Sequence, residues 1–530
     1  MADSGSVYCF RENLLCFPGM RHRPFILYLH LSVISFFSMN ESTKFFLILV
    51  GLIAFVAGAD QAKKFFKIDS KKIRMFIHAS VAVGIFFAPL IFKQKLYPAL
   101  FGSLFTVFDF ISIKLGLLRG INMDKKNLGT VYYPLSFLIL VLLLWDSYPF
   151  IVSTAMLVMG LADPAAAIVG SQIKNAHEVF AFGERKTFEG SVAMFLLASI
   201  ATMIGLLFFG VPVSMTPGPA ALLRISVSIG IMAAAIELIS PKAADNLTVP
   251  LSSGILLFIA ASKPALFDSF MVAEFLAMLV AVVSARLKFL STDGAVATFV
   301  LGSFIFGFGG WQWSVPILLF FIIGSVASKL FSTKKAGYNL LYEKSHERDS
   351  AQVFANGGIP LLMLICTAIL PNYHWFLAYL GALSAVTADT LATEIGVFSR
   401  GDPFSIPLWK RVEKGASGGV SSLGTFTGMM SAALLASLTL PFSGGYGFFP
   451  VRFIIAGTIS GATGSLADSL IGGTIQSQYR CAVCGKITER KRHCVGQETR
   501  LIQGYRWINN DVVNFASSIV GAISMPLLFF

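Results

Sequence analysis

The stretch "FIVSTAMLVMGLADPAAAIVG", residues 150–170, contains a single charged side chain, Asp163, among apolar and small residues. A transmembrane helix needs about 20 predominantly apolar residues, so this stretch is predicted to cross a membrane. A charge at membrane depth costs a few kcal/mol or more. Asp163 therefore marks a candidate functional site.

Similar apolar stretches recur along the chain. Its 530 residues are 55% hydrophobic and only 13% charged, a composition that excludes an ordinary soluble globular protein. The sequence predicts an all-α polytopic transmembrane protein with roughly 16 spans in two bundles. The predicted spans lie at about 43–59, 75–92, 95–117, 130–145, 147–170, 188–210, 221–240, 247–262, 265–287, 294–309, 312–332, 355–371, 373–398, 420–441, 450–476 and 511–530.

Basic residues gather in loops between these spans. An even number of predicted crossings separates each basic loop from the next, so all face one side, and the positive-inside rule makes that side cytoplasmic. The net charge of +13 then reflects topology and contact with anionic lipid, in a bacterial inner membrane or a plastid-type envelope. No basic soluble domain interleaved with aromatics is present, which excludes a nucleic-acid partner. The basic loops are 63–74, 119–126, 185–186, 334–348, 410–414 and 480–492.

The chain start does not fit this pattern. Residues 1–42 lack the basic start, short apolar core and cleavage site of a signal peptide, so no cleaved signal is predicted. We expect an N-terminal extension that is either not native, through an upstream start codon, or poorly ordered. Six cysteines, of which only three cluster, predict no disulfide framework.

The pattern around Asp163 recurs later in the chain. Asp163 lies seven residues before Gly170 in "LADPAAAIVG", and Asp389 lies seven residues before Gly396 in "TADTLATEIG". A third Ala-Asp followed by small residues, "LADSLIGG", contains Asp468. The recurrence predicts two domains, residues 43–263 and 264–530, with a site built from similar parts in each.

Each of the first two Asp residues precedes a basic loop and a Gly- and hydroxyl-rich helix start. These are "GERKTFEGS", with Lys186, and "VEKGASGGVSSLG", with Lys414. Such a helix start presents free backbone N–H groups, a natural phosphate cradle. Asp163 or Asp389 could hold Mg²⁺, and the parts together suit phosphoryl transfer from a cytoplasmic nucleotide to a lipid alcohol. The alternative is that the small residues and the Asp only pack and cap helices.

Residues 45–262 resemble the CTP-dependent polyprenol kinases, which include dolichol kinase and phytol kinase. The resemblance is carried by "IRMFIHASVAVG", "LGTVYYPLSF", "LADPAAAIVG", "KTFEGSVAMF" and "AIELISPKAADNLTVPL". The family has a second Gly four residues after Gly170, where this chain has Lys174. The resemblance implies that CTP and metal are contacted by Asp163, Ala165, Ala166, Gly170, Lys186, Thr187, Glu189 and Gly190, with Arg74, His78, Tyr132, Tyr133, Glu237, Asp245, Asn246 and Thr248 extending the site.

Residues 270–530 resemble the membrane family to which plant phytyl-phosphate kinase belongs. The matching stretches include "SAQVFANGG", "ADTLATEIG", "GASGGVSSLG", "LADSLIGG" and "NNDVVNFASS". The two resemblances together imply consecutive steps, from prenyl alcohol to monophosphate and then to diphosphate. The site residues implied in this half are Asn356, Asp389, Thr393, Glu394, Lys414, Ser417, Gly418, Gly419, Asp468 and Asp511.

Several individual roles stay open on the sequence alone. Arg74 and His78 lie one helical turn apart, so Arg74 could meet phosphate with His78 near the alcohol, or the pair could be a snorkelling Arg and a hydrogen-bonded His. Tyr132 and Tyr133 also fit an interfacial aromatic belt. General base and metal ligand are both open roles for the acidic residues of the first half. These are Asp163, Glu189, Glu237 and Asp245.

The segment "CAVCGKITERKRHC" places Cys481, Cys484, His493 and Cys494 in the loop 480–500. Their spacing fits a tetrahedral structural Zn²⁺ site, although ligation by the adjacent His493 and Cys494 would be strained. Reduced thiols or a redox pair are the alternatives.

The function predicted is a bifunctional membrane isoprenoid kinase that uses CTP and Mg²⁺. It would phosphorylate a phytol-like alcohol and then its monophosphate. The alternatives are a CTP-using lipid cytidylyltransferase, for which the expected Asp-Arg-x-x-Asp type of cluster is not seen, and a secondary transporter built from two membrane halves. A transporter gives the Lys-Thr-x-Glu-Gly loop no obvious role.

Overall fold

The computed structural model describes residues 35–115, 128–210, 218–331, 347–414, 416–443, 447, 449–494 and 496–529. Most of the predicted N-terminal extension and the basic loop 119–126 lie outside the described residues. Residues 334–346, which belong to the basic loop that ends at Arg348, also lie outside the described residues.

The described chain is an integral multi-pass membrane protein built mostly of helices. By length and composition, twelve of its described helices can cross a membrane. The earlier helices are α1 Glu41–Phe66, α2 Ser70–Phe86, α3 Ala88–Ile91, α4 Leu96–Leu115, α5 Gly129–Leu144, α6 Pro149–Gln172, α7 Phe188–Phe209, α8 Pro219–Ile239, α9 Asp245–Ser262 and α10 Pro264–Arg286. The later ones are α11 Thr292–Phe331, α12 Ser350–Ile369, α13 Tyr373–Gly396, α14 Ser422–Thr439, α15 Pro450–Gly472 and α16 Asn510–Leu527.

The polytopic helical prediction is confirmed, with twelve candidate crossings among the described helices where roughly 16 spans were predicted. The predicted span 75–92 covers both α2 and the short α3, and every other predicted span falls on a single helix. Two of the predicted spans, 294–309 and 312–332, share the single element α11. Its helical backbone is broken at Gly310, where φ is 59° and ψ is −160°. A side chain is strongly disfavoured in that conformation, so glycine lets two membrane segments follow each other directly.

Three small antiparallel sheets lie between helices, so the chain is mostly rather than wholly helical. Their strands are β1 Glu178–Ala181, β2 Glu184–Thr187, β3 Phe404–Ser405, β4 Lys410–Arg411, β5 Gly419–Val420, β6 Gln478–Cys481, β7 Ile487–Thr488, β8 Arg492–His493 and β9 Gln497–Gln503. The strand orders in the three sheets are β1-β2, β4-β3-β5 and β7-β6-β9-β8.

The same order of elements occurs twice. A largely buried helix, α6 or α13, is followed by a small sheet and then by three helices, α7 to α9 or α14 to α16. In both sets the buried helix packs against the first and last of those three. This repeated order places the predicted Asp163 and Asp389 at corresponding positions near the ends of α6 and α13.

The buried apolar side chains form two main clusters. One runs along the chain from Phe45 to Val300, and the other runs from Leu301 to Met525. Phe267 and Phe270, on α10, belong to the first cluster. Large apolar side chains on outer helices, such as Phe275, are exposed, as expected where lipid tails replace water. The domain boundary between residues 263 and 264 stays a prediction.

Candidate active sites

Three carboxylates converge at the first candidate site from three different helices. Asp163 comes from α6, Glu237 from α8 and Asp245 from the start of α9. One oxygen from each lies within 4.8 Å of the others. The first-half resemblance implies these residues in one site, and the structure brings them together. Such a group offers the hard oxygen ligands that Mg²⁺ prefers.

Lys186, on β2, reaches into the same cluster. Its Nζ lies 2.7 Å from Glu237 Oε1 and 3.4 Å from Asp245 Oδ2, and it also donates to the Glu237 backbone carbonyl. Burial disfavours the ammonium, but the Glu237 and Asp245 carboxylates outweigh burial and raise the pKa of Lys186 above its usual value. Lys186 is therefore a fixed positive charge within an acidic cluster.

The short connection between α8 and α9 is strained. Lys242 and Ala243 both have left-handed backbones, with φ of 35° and 61°. Asn246 donates from its backbone N–H and its Nδ2 to Asp245 Oδ1, at 2.9 and 3.1 Å. Thr248 Oγ1 lies 2.7 Å from Ser240 Oγ across the connection. Asn246 and Thr248 thus hold Asp245 and its loop, and strain of this kind clusters at functional sites.

The small residues after Asp163 have a clear packing role. A side chain added at Gly170 would place its Cβ 2.5 Å from Thr187 Oγ1, and one at Gly190 would place its Cβ 3.0 Å from the Ala166 carbonyl oxygen. Thr187 Oγ1 accepts a hydrogen bond of 3.1 Å from the Gly190 N–H and caps α7. These residues therefore fix the close approach of α6 to the start of α7, which supports the packing alternative for them.

The aromatic and basic residues implied for the first half differ in their contacts. Arg74 is close enough to Asp163 to interact electrostatically with it. The His78 ring packs edge-on against Tyr133 at 4.0 Å, and its buried Nε2 has no hydrogen-bond partner. Tyr133 is buried in the protein core, so it does not belong to an interfacial belt.

Glu189 is not part of the group formed by Asp163, Glu237 and Asp245. Its carboxylate accepts from the backbone N–H of His177, at 3.0 Å, and lies 2.7 Å from His177 Nδ1. Tyr132 is half-buried on α5, and Lys174 is exposed beyond the end of α6. The active-site role implied for Glu189 stays a prediction.

The second candidate site is a cavity of about 520 Å³. It collects most of the residues implied for the second half. The implied residues that line it are Asn356, Asp389, Thr393, Glu394, Lys414, Ser417, Gly418, Gly419 and Asp468. Asp511 is not among the lining residues, although Asn510 and Asn514, on either side of it, are.

The polar groups of this cavity come from several elements. Asp389 on α13 and Asp468 on α15 are close enough to interact electrostatically, and Asp468 Oδ2 is a buried atom without a hydrogen-bond partner. Glu394 accepts from Ser328 Oγ at 3.1 Å. Lys414 Nζ donates to the Ser399 carbonyl at 2.6 Å.

The Ser417–Gly419 loop requires its central glycine. Gly418 has φ of +80°, and a Cβ there would collide with the Gly473 backbone and lie 2.7 Å from the Ser469 carbonyl oxygen. Ser417 Oγ donates to Glu489 at 2.8 Å. The loop thus packs directly against the end of α15 and lines the cavity.

The second half of the chain is similar to a known protein family. Residues 275–522 match the family model described as integral membrane protein DUF92. The match covers just under half of the chain, and residues 275–522 are called the DUF92 domain for this similarity. No solved structure matches the chain.

Three relatives extend this comparison. An uncharacterized membrane protein of Methanocaldococcus jannaschii is 28% identical over 268 residues, 50% of this chain and 94% of that protein. Protein PGR of Arabidopsis thaliana is 25% identical over 269 residues, 47% of this chain and 92% of that protein. A phytol kinase of Synechocystis sp. is 32% identical over 149 residues, 28% of this chain and 60% of the kinase. The chain is thus a distant relative of a phytol kinase.

The DUF92 domain repeats the close contacts of the first site. A Cβ at Gly396 would lie 3.1 Å from Ser421 Oγ, and one at Gly424 would lie 3.0 Å from the Ala392 carbonyl oxygen. Ser421 caps α14 by accepting from the Gly424 N–H at 3.1 Å. These contacts match those between α6 and α7, one for one. The recurrence seen in the sequence therefore corresponds to a repeated local structure.

The DUF92 domain also contributes cavity residues that the sequence did not single out. Arg348, Gln352, Gln476, Glu489 and Arg490 line the cavity. The Arg348 guanidinium lies 5.3 Å from the centre of the Phe320 ring. Burial lowers the pKa of Arg348 to about 10, and the Glu394 carboxylate opposes that shift. The sequence shows that these loops are basic. It does not show which of their residues reach the cavity.

The predicted cysteine cluster is also assembled. One ligand atom from each of Cys481, Cys484, His493 and Cys494 lies within 4.8 Å of the other three. These residues belong to the sheet β6–β9, inserted between α15 and α16. The group could bind a metal ion.

Proposed function

We propose that the chain is a membrane isoprenoid kinase with two sites. The first-half site converts a phytol-like prenyl alcohol to its monophosphate, and the cavity of the DUF92 domain converts the monophosphate to the diphosphate. The observation that carries this proposal is the repeated scaffold. Each site combines acidic residues from several helices, a lysine from the connecting loop and a capped helix start.

The donor set of the first site fits a magnesium–nucleotide complex. Mg²⁺ takes one or two protein carboxylates and completes its shell with water and substrate phosphates. Asp163, Glu237 and Asp245 would hold it, since their oxygens converge within 4.8 Å. Bound there, the ion would neutralise charge on the phosphates. Lys186 lies in the same cluster and would add a further positive charge.

The first step transfers the terminal phosphoryl group of the nucleotide to the lipid alcohol. The alcohol oxygen forms a bond to that phosphorus, the bond to the bridging oxygen breaks, and the nucleoside diphosphate leaves. The alcohol proton must pass to a base, and the acidic cluster supplies carboxylates for that purpose. Arg74, close to Asp163, is suited to orient the phosphates.

The second step differs because its nucleophile is a phosphate monoester. That group is ionised at neutral pH and has no alcohol proton to lose, but it brings two anionic substrates together. The cavity of the DUF92 domain is lined by three cationic side chains, Arg348, Lys414 and Arg490, and by four acidic ones, Asp389, Glu394, Asp468 and Glu489. The cationic side chains are suited to bind the phosphates of the two substrates and the carboxylates to hold Mg²⁺, so this lining supports assigning the second step to the cavity.

The resemblance of the first half to CTP-dependent kinases supports CTP as the donor. The basic loops support placing both sites on the cytoplasmic face, in a bacterial inner membrane or plastid-type envelope. The lipid alcohol and lipid phosphate would enter from the bilayer.

The test uses purified full-length protein in detergent with phytol or phytyl monophosphate. CTP is supplied in two forms, labelled at the α- or at the γ-phosphorus, and ATP serves as the alternative donor. A kinase transfers only the γ label, to monophosphate from phytol and to diphosphate from the monophosphate. Transfer of the α label would identify a cytidylyltransferase instead. Absence of lipid labelling from either nucleotide would contradict the proposal.

A further inference from the structure

The cysteine cluster has the dimensions of a tetrahedral zinc site. Zn–S bonds of about 2.3 Å and a Zn–N bond of about 2.0 Å place tetrahedral sulfur and nitrogen ligands about 3.5 Å apart. His493 Nδ1 lies 3.5 Å from Cys484 Sγ and 3.2 Å from Cys494 Sγ. Cys494 has a left-handed backbone, with φ of 35°. The 3.2 Å separation brings the ligand atoms of the adjacent His493 and Cys494 to one point, an arrangement that the sequence alone made look strained.

The turn around Cys481 is shaped for a metal-bound thiolate. The Cys481 N–H donates to the Lys486 carbonyl and the Gly485 N–H donates to the Cys481 carbonyl, each at 3.0 Å. The backbone N–H groups of Cys484 and Val483 hydrogen-bond to the Cys481 sulfur, so this sulfur sits in a turn of backbone donors that can stabilise a metal-bound thiolate.

Two of the residues that line the cavity lie between the ligands in the chain. Glu489 and Arg490 follow β7, which is paired with β6 behind the Cys481–Cys484 turn, and precede β8, which carries His493. The segment is further held by Thr499 Oγ1, which donates to the Arg490 carbonyl at 2.8 Å. A metal bound by the cluster would fix both ends of this segment.

Glu489 connects the segment to the Ser417–Gly419 loop. Its Oε1 accepts 2.8 Å hydrogen bonds from Ser417 Oγ and from Gln476 Nε2. Gln476 lies at the start of the same inserted sheet, just after α15. Glu489 lies on the hairpin that connects β7 to β8 (residues 487–493). If this hairpin moved, the hydrogen bond from Ser417 would break or would displace the Ser417–Gly419 loop.

We propose that Cys481, Cys484, His493 and Cys494 bind one Zn²⁺, and that this ion positions Glu489 and Arg490 at the cavity of the DUF92 domain. The zinc acts through the protein and touches no substrate. The metal site does not depend on the proposed function; only its effect on the second phosphorylation rests on it.

The first experiment measures metal content in purified, thiol-reduced protein by mass spectrometry. One zinc ion per chain is expected, and Cys484→Ser should lose it. Cys366→Ser is the matched control, because Cys366 is a half-buried free thiol on α12, outside the cluster. Zinc-free protein, a Cys481–Cys484 disulfide under reducing conditions, or full zinc content in Cys484→Ser would each overturn the proposal.

The second experiment tests positioning without using activity. Trypsin can cut after Lys486, Arg490, Lys491 and Arg492, and bound zinc should protect these bonds. A zinc chelator that spares Mg²⁺ should accelerate their cleavage, and added Zn²⁺ should restore protection. Cleavage after Lys63 and Lys64, at the end of α1, is the internal control. Equal cleavage of the hairpin with and without zinc would contradict the positioning role.

The third experiment uses the two phosphorylation steps. Chelation should reduce the second step by about 100-fold, as expected when site groups are misplaced by about 1 Å, and should spare the first step. Glu489→Gln should reduce the second step while retaining zinc. Loss of both steps on chelation, or of neither, would refute the link between zinc and this cavity. If no kinase activity is found at all, metal content and proteolysis still decide the inference.

Discussion

The two candidate sites are built on the same arrangement of helices but differ in the segment that connects the last two of those helices. Around the first site, α8 and α9 are joined by the short strained turn 240–244, which sets Glu237 and Asp245 in one cluster. Around the second, the corresponding helices α15 and α16 are joined by the whole sheet β6–β9, with its cysteine cluster. The shared helices provide an Asp and a capped helix start at each site, and the connection adds further charged residues to it.

This difference fits the chemistry proposed for each site. A tight turn gathers carboxylates around one lysine, which suits a substrate that must lose a proton. The inserted sheet instead brings Arg490 and Glu489 to a cavity that already contains Arg348 and Lys414. The comparison predicts that damage to one site should leave the other step intact.

The largest expected effect is that of Asp163→Asn. Because this carboxylate belongs to the acidic cluster of the first site, phosphorylation of the alcohol should fall by about 10²- to 10⁴-fold. Conversion of supplied monophosphate should be unchanged. Both rates are measured with labelled nucleotide, and Asp146→Asn, which alters an exposed ion pair with Lys95, is the control. If Asp163→Asn also stops the second step, one shared site is the better description.

Asp389→Asn is the converse variant. The monophosphate should accumulate, because the second step should fall by about 100-fold while the first continues. Chromatography of the labelled lipids measures the ratio of the two products. A normal yield of diphosphate would show that the cavity of the DUF92 domain is not the site of the second step.

Lys186→Met tests the electrostatics of the first site. Removing the cation leaves its carboxylate partners uncompensated and should cost about 3–5 kcal/mol at neutral pH. Because the folded-state pKa of Lys186 is raised, its stabilisation is complete below the ordinary lysine pKa and is lost as the pH rises through the raised value. The melting temperature of wild type should therefore approach that of the variant only at strongly alkaline pH. A constant difference throughout the alkaline range would contradict this.

Gly418→Ala should have the smallest effect on stability, about 1–3 kcal/mol, because its φ of +80° disfavours a side chain. It should also impair the second step, because the new Cβ would displace the loop from Gly473. Gly183→Ala is the matched control: its φ is +78°, but nothing lies within 4 Å of its added Cβ. Melting temperatures and second-step rates separate backbone strain from displacement. Equal losses of activity in both variants would argue against a role for the loop.

The membrane architecture could largely be predicted from the sequence. A helix that crosses lipid must be long and apolar, and such stretches are visible along the chain. The cluster of Asp163, Lys186 and Glu237 was accessible because short motifs place these residues near helix ends. Arg348 and Glu489 were not, since they reach the cavity through tertiary contacts that no local pattern records. Glu189 follows its motif, yet its side chain turns to His177 because it lies in the first turn of α7.

The two cores meet within a single helix. Val300 belongs to the first cluster and the next residue, Leu301, to the second, both on α11. Phe267 and Phe270, beyond the sequence-predicted boundary at 263/264, are buried in the first core. If the chain were divided at that boundary, the first fragment would lose the apolar side chains of α10 that pack in its core. Fragments made for separate expression should therefore retain α10 and the first part of α11 with the first half, and the two sites are expected to unfold as one cooperative unit.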